Sequence, residues 1–91
     1  MTGWSEYLER ILVQMELNES TKIKAREILE LYTKHPNANR GSLTGMAAGA
    51  ICVACKLENI MISHSKIAQF ANLSPETVRI QYRKILSCGI I

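Results

Sequence analysis

The segment SHSKIAQFANLSPETVRIQYRKIL, residues 63–86, decides how the rest of this sequence is interpreted. Two short helical patterns are separated by a break at residues 72–74, and Asn72 is a residue type that tolerates a left-handed turn. Ser63 can cap the first helix, and Pro75 stands at the favoured first position of the second. This arrangement is typical of a helix-turn-helix, whose second helix enters the DNA major groove.

Upstream of this segment, two amphipathic patterns predict helices at about residues 5–16 and 19–34. Ser5 is the expected N-cap of the first helix, and Asn18 or Ser20 that of the second. The second helix must stop just before the following proline, which disfavours a helical conformation for its predecessor. The apolar residues expected to be buried are Trp4, Leu8, Ile11, Leu12 and Met15 in the first helix and Ile23, Ile28, Leu31 and Tyr32 in the second.

A third helix is predicted at about residues 44–57, starting near Ser42 or Thr44, and it is apolar on nearly every face. A helix of this kind belongs in the centre of a bundle, with other helices packed around it. Helices at about residues 64–71 and 75–87 complete an all-α fold of five helices around the hydrophobic third one. The residues expected to be most buried are Ala47, Ala50, Ile51, Ala54 and Cys55.

The length and composition limit the kind of protein this is. Ninety-one residues are enough for one domain with one modest core, so residues 1–91 are interpreted as a single domain. No run of 18 apolar residues and no signal-peptide pattern occurs, which predicts neither a membrane span nor a membrane partner. Three cysteines are an odd number, which favours a reducing interior, and we expect an intracellular protein.

Charge is distributed unevenly along the chain. Residues 1–31 hold four Lys or Arg and six Glu, a balance of −2, whereas residues 32–91 hold seven Lys or Arg and two Glu, a balance of +5. A basic C-terminal portion indicates a polyanionic partner, although a charge of this size is only a weak sign of nucleic-acid binding.

Several of these segments together resemble one cyclin-like repeat of the transcription factor B and transcription factor IIB family, most closely the second, C-terminal repeat. The resemblance covers about residues 5–87. It is carried by TGMAAGAICVAC at residues 44–55, by Ile67-Ala68, by Thr77-Val78-Arg79 and by Tyr82-Arg83. The chain departs from the family pattern in the residues that precede the third helix (Arg40-Gly41-Ser42-Leu43-Thr44-Gly45), in Asn72 at the usual turn glycine and in Glu76 at a small apolar position.

The resemblance implies a five-helix cyclin fold and a role in transcription initiation. The implied partners are double-stranded promoter DNA beside the TATA box, TATA-binding protein, and RNA polymerase. Polymerase contact is expected through N-terminal regions of the full family protein that these 91 residues do not contain. The chain is therefore expected to be an excised domain or a reduced relative, cytoplasmic with the nucleoid if archaeal and nuclear if eukaryotic.

The fifth predicted helix has two distinct faces. On a helical wheel its inner side carries Val78, Tyr82 and Ile85. On the outer side, arginine can pair with guanine, glutamate can accept from cytosine N4, and isoleucine can touch a thymine methyl group. The alternative is an ordinary solvated face stabilised by an ion pair between the glutamate and the first arginine, three residues apart. The candidate base-contacting residues are Glu76, Arg79, Ile80 and Arg83.

Other polar residues are candidates for contact with DNA phosphates, which fix the position of a protein without specifying sequence. Ser63, Ser65, Lys66 and Lys84 flank the outer face, although the two lysines are equally consistent with simple surface charges. Residues at the start of the third helix can also bind an anion there, or form only a flexible loop and a cap. These residues are Arg40, Gly41 and Ser42.

Cys52-x-x-Cys55 has the spacing of a metal or redox motif but lies inside an apolar helix. A structural zinc needs four ligands and a redox pair needs an exposed helix start, so we interpret both thiols as core residues and predict no metal and no cofactor. No catalytic constellation is present: the chain has no Asp, and His64 is interpreted as exposed or as a phosphate contact, so no enzyme is predicted.

The sequence leaves two functions open. The first is a promoter-DNA-binding domain of a general transcription initiation factor. The second is a cyclin-fold protein–protein interaction module that does not bind DNA sequence-specifically. A DNA-binding protein loses affinity steeply as salt rises, whereas a protein that binds through a hydrophobic groove does not.

Overall fold

A computed structural model describes residues 3–35 and 43–88, and these residues form five α-helices without any β-strand. The all-helical fold class is confirmed. The first helix begins two residues earlier than predicted, and the remaining helices start and end within one residue of the predicted positions. The helices are α1 (Gly3–Met15), α2 (Glu19–Lys34), α3 (Leu43–Leu57), α4 (His64–Ala71) and α5 (Pro75–Ser87).

Helix α3 is the centre of the fold, because it packs against each of the other four helices. Its body is inaccessible to solvent on every side, as the continuous apolar pattern predicted. All five residues predicted to be most deeply buried are confirmed: Ala47, Ala50, Ile51 and Ala54 are fully buried, and Cys55 nearly so. Small side chains dominate this helix, which lets its neighbours approach closely.

The closest approach between helices occurs where Gly49 of α3 faces α5. A Cβ atom at position 49 would lie 2.8 Å from Cβ of Gln81 and 3.2 Å from Cδ1 of Ile85, so glycine is required at this spacing. Gln81 is buried although it is polar, and its Oε1 accepts no hydrogen bond from any described residue. The contact between Gly49 and Gln81 therefore sets the distance of α5 from the core.

The predicted buried face of α1 is confirmed at Leu8, Ile11 and Leu12, while Met15 is half-buried against the core. The side chain of Trp4 lies outside the described residues. Ser5 is not the N-cap of α1, because the helix already begins at Gly3 and residue 5 lies within its first turn. That prediction was wrong, since the helix begins two residues before Ser5.

The buried face of α2 is only partly as predicted. Ile28 and Tyr32 are buried, but Ile23 and Leu31 are 50% and 49% exposed, so their predicted burial is wrong. The helix instead buries a face that carries small residues in its first half and large ones in its second half, and the two exposed residues project away from it. The buried residues of α2 are Thr21, Ala25, Ile28, Leu29 and Tyr32.

Local hydrogen bonds define both ends of α2. Asn18 is its N-cap, and the side-chain Oδ1 accepts a bond from the backbone N–H of Thr21 at 2.8 Å. Ser20, the other candidate, instead donates from Oγ to Oε1 of Glu58 at 2.8 Å. His35 leaves the helical conformation at φ −73° and ψ 135°, as the proline that follows it predicted.

An ion pair joins α1 to α2. Arg26 donates from Nε to Oε2 of Glu9 at 2.6 Å and from Nη2 to Oε1 at 3.0 Å. The hydrogen bond from Arg26 lowers the pKa of Glu9. This stabilisation is therefore present near neutral pH and is lost as the pH falls through the lowered pKa, and its size is modest because both side chains are over two-fifths exposed.

None of the helices in the part of the chain that the structure describes is both long enough and apolar enough to cross a membrane.

Candidate nucleic-acid interface

Helices α4 and α5 are connected by a tight turn, and three side chains define the ends of α4 and the start of α5. Ser63 caps α4, its Oγ accepting from the N–H of Lys66 at 3.1 Å. Asn72 adopts the left-handed conformation at φ 62° and ψ 43°, which ends α4 as predicted. Ser74 caps α5, its Oγ accepting from the N–H of Thr77 at 3.3 Å. The chain therefore forms the helix-turn-helix arrangement that its sequence predicts.

The two faces of α5 are arranged as the helical wheel predicted. Val78 and Ile85 are fully buried, and Tyr82 is half-buried against the core. All four candidate base-contacting residues are exposed, and Ile80 has 46% of its surface accessible. Glu76 and Arg79 are both among the described residues and form no salt bridge. The alternative, an outer face stabilised by this ion pair, is therefore not seen. These four residues are Glu76, Arg79, Ile80 and Arg83.

The positive charges of α3, α4 and α5 are not neutralised by neighbouring carboxylates. All salt bridges among the described residues lie within α1 and α2, and they pair Glu19 with Lys22, Glu9 with Arg26, and Glu30 with Lys34. By contrast, the basic side chains of the last three helices form no salt bridge with any described residue. The basic side chains of α3, α4 and α5 therefore present their charge to solvent.

The candidate phosphate contacts fall into three groups. Ser63, Ser65 and Lys66 lie together and exposed at the start of α4, where Ser63 already serves as the cap. Lys84 lies separately on α5 and is half-exposed. The remaining candidates, Arg40, Gly41 and Ser42, lie outside the described residues.

His64 makes a contact that the sequence did not predict. Its ring centroid lies 5.2 Å from that of Tyr82, with the ring planes tilted by 55°, so His64 packs against α5 as well as facing solvent. This contact ties the first turn of α4 to the middle of α5. No sequence spacing indicates it, because the two residues are on different helices and meet only after the turn has formed.

The cysteine pair of α3 lies in the core as predicted. Cys52 and Cys55 are 5% and 2% exposed. Burial raises the pKa of Cys52 to about 12 and that of Cys55 to about 11, so neither thiol is a reactive thiolate at neutral pH. Within the described residues no group of three or more His, Cys, Asp or Glu side chains is placed to hold a metal ion.

Zinc should therefore have no effect on the stability of this protein. Adding zinc or a chelator is expected to leave the melting temperature unchanged, because both thiols are buried and protonated at neutral pH. Thermal unfolding followed by circular dichroism, with and without each reagent, measures this directly. A shift that depends on Cys52 or Cys55, tested with serine variants, would mean that a metal is bound by these thiols.

Comparison with known proteins identifies the family. The family model described as the transcription factor TFIIB repeat matches residues 3–87. The chain belongs to this family. The resemblance to one cyclin-like repeat is thus confirmed, and the all-α fold of this TFIIB repeat agrees with it. The interpretation that it is closest to the second of the two repeats stays a prediction.

The relatives of this TFIIB repeat include archaeal initiation factors. It is 34% identical over 83 residues to transcription initiation factor IIB 3 of Halobacterium salinarum, covering 91% of this chain and 26% of the relative. It is 30% identical over 81 residues to transcription initiation factor IIB 2 of Thermococcus kodakarensis, covering 89% and 26%. With transcription initiation factor IIB of Haloarcula vallismortis it is 30% identical over 79 residues, covering 87% and 69%. The chain thus spans about a quarter of the length of the first two.

Proposed function

We propose that this TFIIB repeat is a promoter-DNA-binding domain of a general transcription initiation factor and that α5 is its recognition helix. One observation carries the proposal: the exposed face of α5 presents Arg79 and Arg83 without any carboxylate partner among the described residues. Guanidinium groups without a carboxylate partner, on the second helix of a helix-turn-helix, can hydrogen-bond to base edges in the major groove.

Each of the four candidate base-contacting residues of α5 has a role in this proposal. Arg79 and Arg83 donate to O6 and N7 of guanine, and Glu76 accepts from N4 of cytosine. Ile80, with 46% of its surface accessible, lies against a thymine methyl group. The cap and the proline hold the backbone of the first turn of α5 in place, which favours readout by Glu76 and Arg79 because little backbone freedom is lost on binding.

The residues at the start of α4 position the domain on the DNA backbone. Lys66 and Ser65 contact phosphates together with the positive end of the helix, while Ser63 keeps the first turn in place. Lys84 contacts a phosphate from the side of α5. The residues before α3, Arg40, Gly41 and Ser42, add a further phosphate contact in the same proposal.

The domain acts with partners. The names of the relatives point to transcription initiation, so the proposed setting is promoter DNA beside the TATA box with TATA-binding protein bound. Contact with RNA polymerase belongs to N-terminal regions of the full family protein. Because this chain spans about a quarter of the first relatives, its affinity for DNA alone is expected to be weak and to rise when TATA-binding protein is present.

Lys84→Ala tests the phosphate part of the proposal. The variant is expected to bind every duplex more weakly by the same factor and to reduce the slope of log affinity against log salt by about 0.9, since one phosphate contact is lost. The measurement is a fluorescence titration of promoter and unrelated duplexes at several salt concentrations. Lys24→Ala is the matched control, because it removes the same charge from α2. An unchanged slope for Lys84→Ala would remove this residue from the interface.

A second candidate function rests on a different feature, an open and mostly apolar groove of about 560 Å³. It is lined by the end of α3, the segment that follows it, the first residue of α4 and Tyr82 of α5. Cys52 and Ile60 lie on its wall, and Met61 beside it is 96% exposed. A groove of this kind can accept an apolar side chain from another protein. Such an interaction module would bind its partner with little dependence on salt, whereas DNA binding depends on salt steeply.

A further inference from the structure

A second groove, of about 440 Å³, lies beside the turn between α4 and α5. Three parts of the chain that are distant in sequence meet there. Tyr7 and Arg10 come from α1, Thr44 from the first turn of α3, and Asn72 and Leu73 from the turn itself. Because Asn72 and Leu73 directly precede the cap of α5, the groove adjoins the N-terminal end of the proposed recognition helix.

Among the described residues that line this groove, Arg10 is the only one with a charged side chain. Its guanidinium carbon lies 5.8 Å from the centroid of the Tyr7 ring, a distance at which the ring attracts a cation. Arg10 is exposed and forms no salt bridge with any described residue. The guanidinium is therefore held at the groove by an aromatic face while its charge remains available to an anion.

A second feature also makes the electrostatic potential of the groove positive. Thr44 belongs to the first turn of α3, so the positive end of the α3 dipole also lies at this groove. None of the described residues that line the groove is Asp or Glu. A helix end and an unpaired guanidinium that line the same groove favour the binding of a phosphate there.

We propose that Arg10 contacts a DNA phosphate, so that the DNA-binding surface extends from α5 across the turn to α1. This inference rests on the proposed function, because in a helix-turn-helix the N-terminal end of the recognition helix enters the major groove. The phosphates that border the major groove at that end then pass the adjoining turn, where Arg10 is held. The charge balance along the chain does not indicate this contact, since Arg10 lies in the acidic first third of the chain.

Arg10→Gln tests this inference. In titrations of a labelled promoter duplex and of an unrelated duplex, both with TATA-binding protein present, the variant is expected to weaken binding to the two duplexes by the same factor. The loss of affinity between about 50 and 200 mM salt should be about threefold smaller than for wild type, since one phosphate contact is gone. Arg10→Lys, which keeps the charge, should retain the wild-type salt dependence.

Lys24→Gln is the matched control, since it removes one charge from α2, which contributes no residue to this groove. If Arg10→Gln and Lys24→Gln bind DNA equally well, the inference is wrong. If wild type binds and Arg79→Ala alters its base preference while Arg10→Gln changes nothing, only the contact from α1 is excluded. If the wild-type chain does not bind DNA under any of these conditions, the proposed function fails and this inference fails with it.

Discussion

Replacing Ile51 by alanine is expected to lower the free energy of unfolding by about 2–5 kcal/mol. Ile51 is fully buried in α3, the helix that contacts all the others, so the cavity left by the variant is enclosed on every side. A domain of this size has a total stability of about 5–15 kcal/mol, so the loss is a large fraction of the whole. Equilibrium unfolding in urea, followed by circular dichroism, gives the value.

Ile23→Ala is the control, because it makes the same chemical change on α2. Ile23 is 50% exposed, and the variant is expected to change stability by no more than about 0.5 kcal/mol. The pair of variants separates the observed packing of α2 from the pattern expected from sequence, in which both isoleucines are buried. Equal losses at positions 23 and 51 would contradict the arrangement of helices around α3.

Arg79→Ala is expected to reduce the affinity for the preferred promoter duplex by about 1–3 kcal/mol and to relax the base preference at one position. Arg79 is exposed in the first half of α5 and has no salt-bridge partner among the described residues, so its loss removes a contact without disturbing the fold. The measurement is a series of titrations on duplexes in which each base pair of the site is changed in turn.

Arg26→Ala is the matched control for this prediction. It removes the same side chain from α2, where the guanidinium is bound to Glu9 rather than facing solvent. It is expected to leave the base preference unchanged, and a melting curve shows whether the variant is folded at the temperature of the titration. If Arg79→Ala and wild type bind every duplex with equal affinity, α5 does not read sequence, and the interaction module becomes the better interpretation.

The parts of the fold that sequence predicted well are those determined within one turn of helix. Ser63, and Asn18 as one of two candidates, were identified as caps, and each accepts from a backbone N–H three residues ahead, so the side chain and its partner are both visible in a short window. Asn72 likewise indicates the left-handed turn by its residue type. The central position of α3 was also predictable, because a helix that is apolar on all sides has only one stable location in a bundle.

The parts that sequence did not predict depend on which neighbour each face meets. Ile23 and Leu31 have the spacing of core residues, but α2 turns a different face to α3, and only the packed structure determines which face is buried. Gln81 is buried because Gly49 opposite it leaves room for close approach. The groove that contains Arg10 joins three distant segments, so neither its shape nor its positive charge can be read from a local pattern.

The most direct test of the proposed function is the salt dependence with which the wild-type chain binds a labelled promoter duplex. Titrations of the bare duplex and of its preformed complex with TATA-binding protein, at about 50 and 200 mM salt, give four affinities. We expect binding to weaken steeply with salt, with a slope of about −0.9 for each phosphate contacted, and to be tighter on the preformed complex. Binding that is the same at both salt concentrations, or absent from both targets, would contradict the proposal that this TFIIB repeat binds promoter DNA.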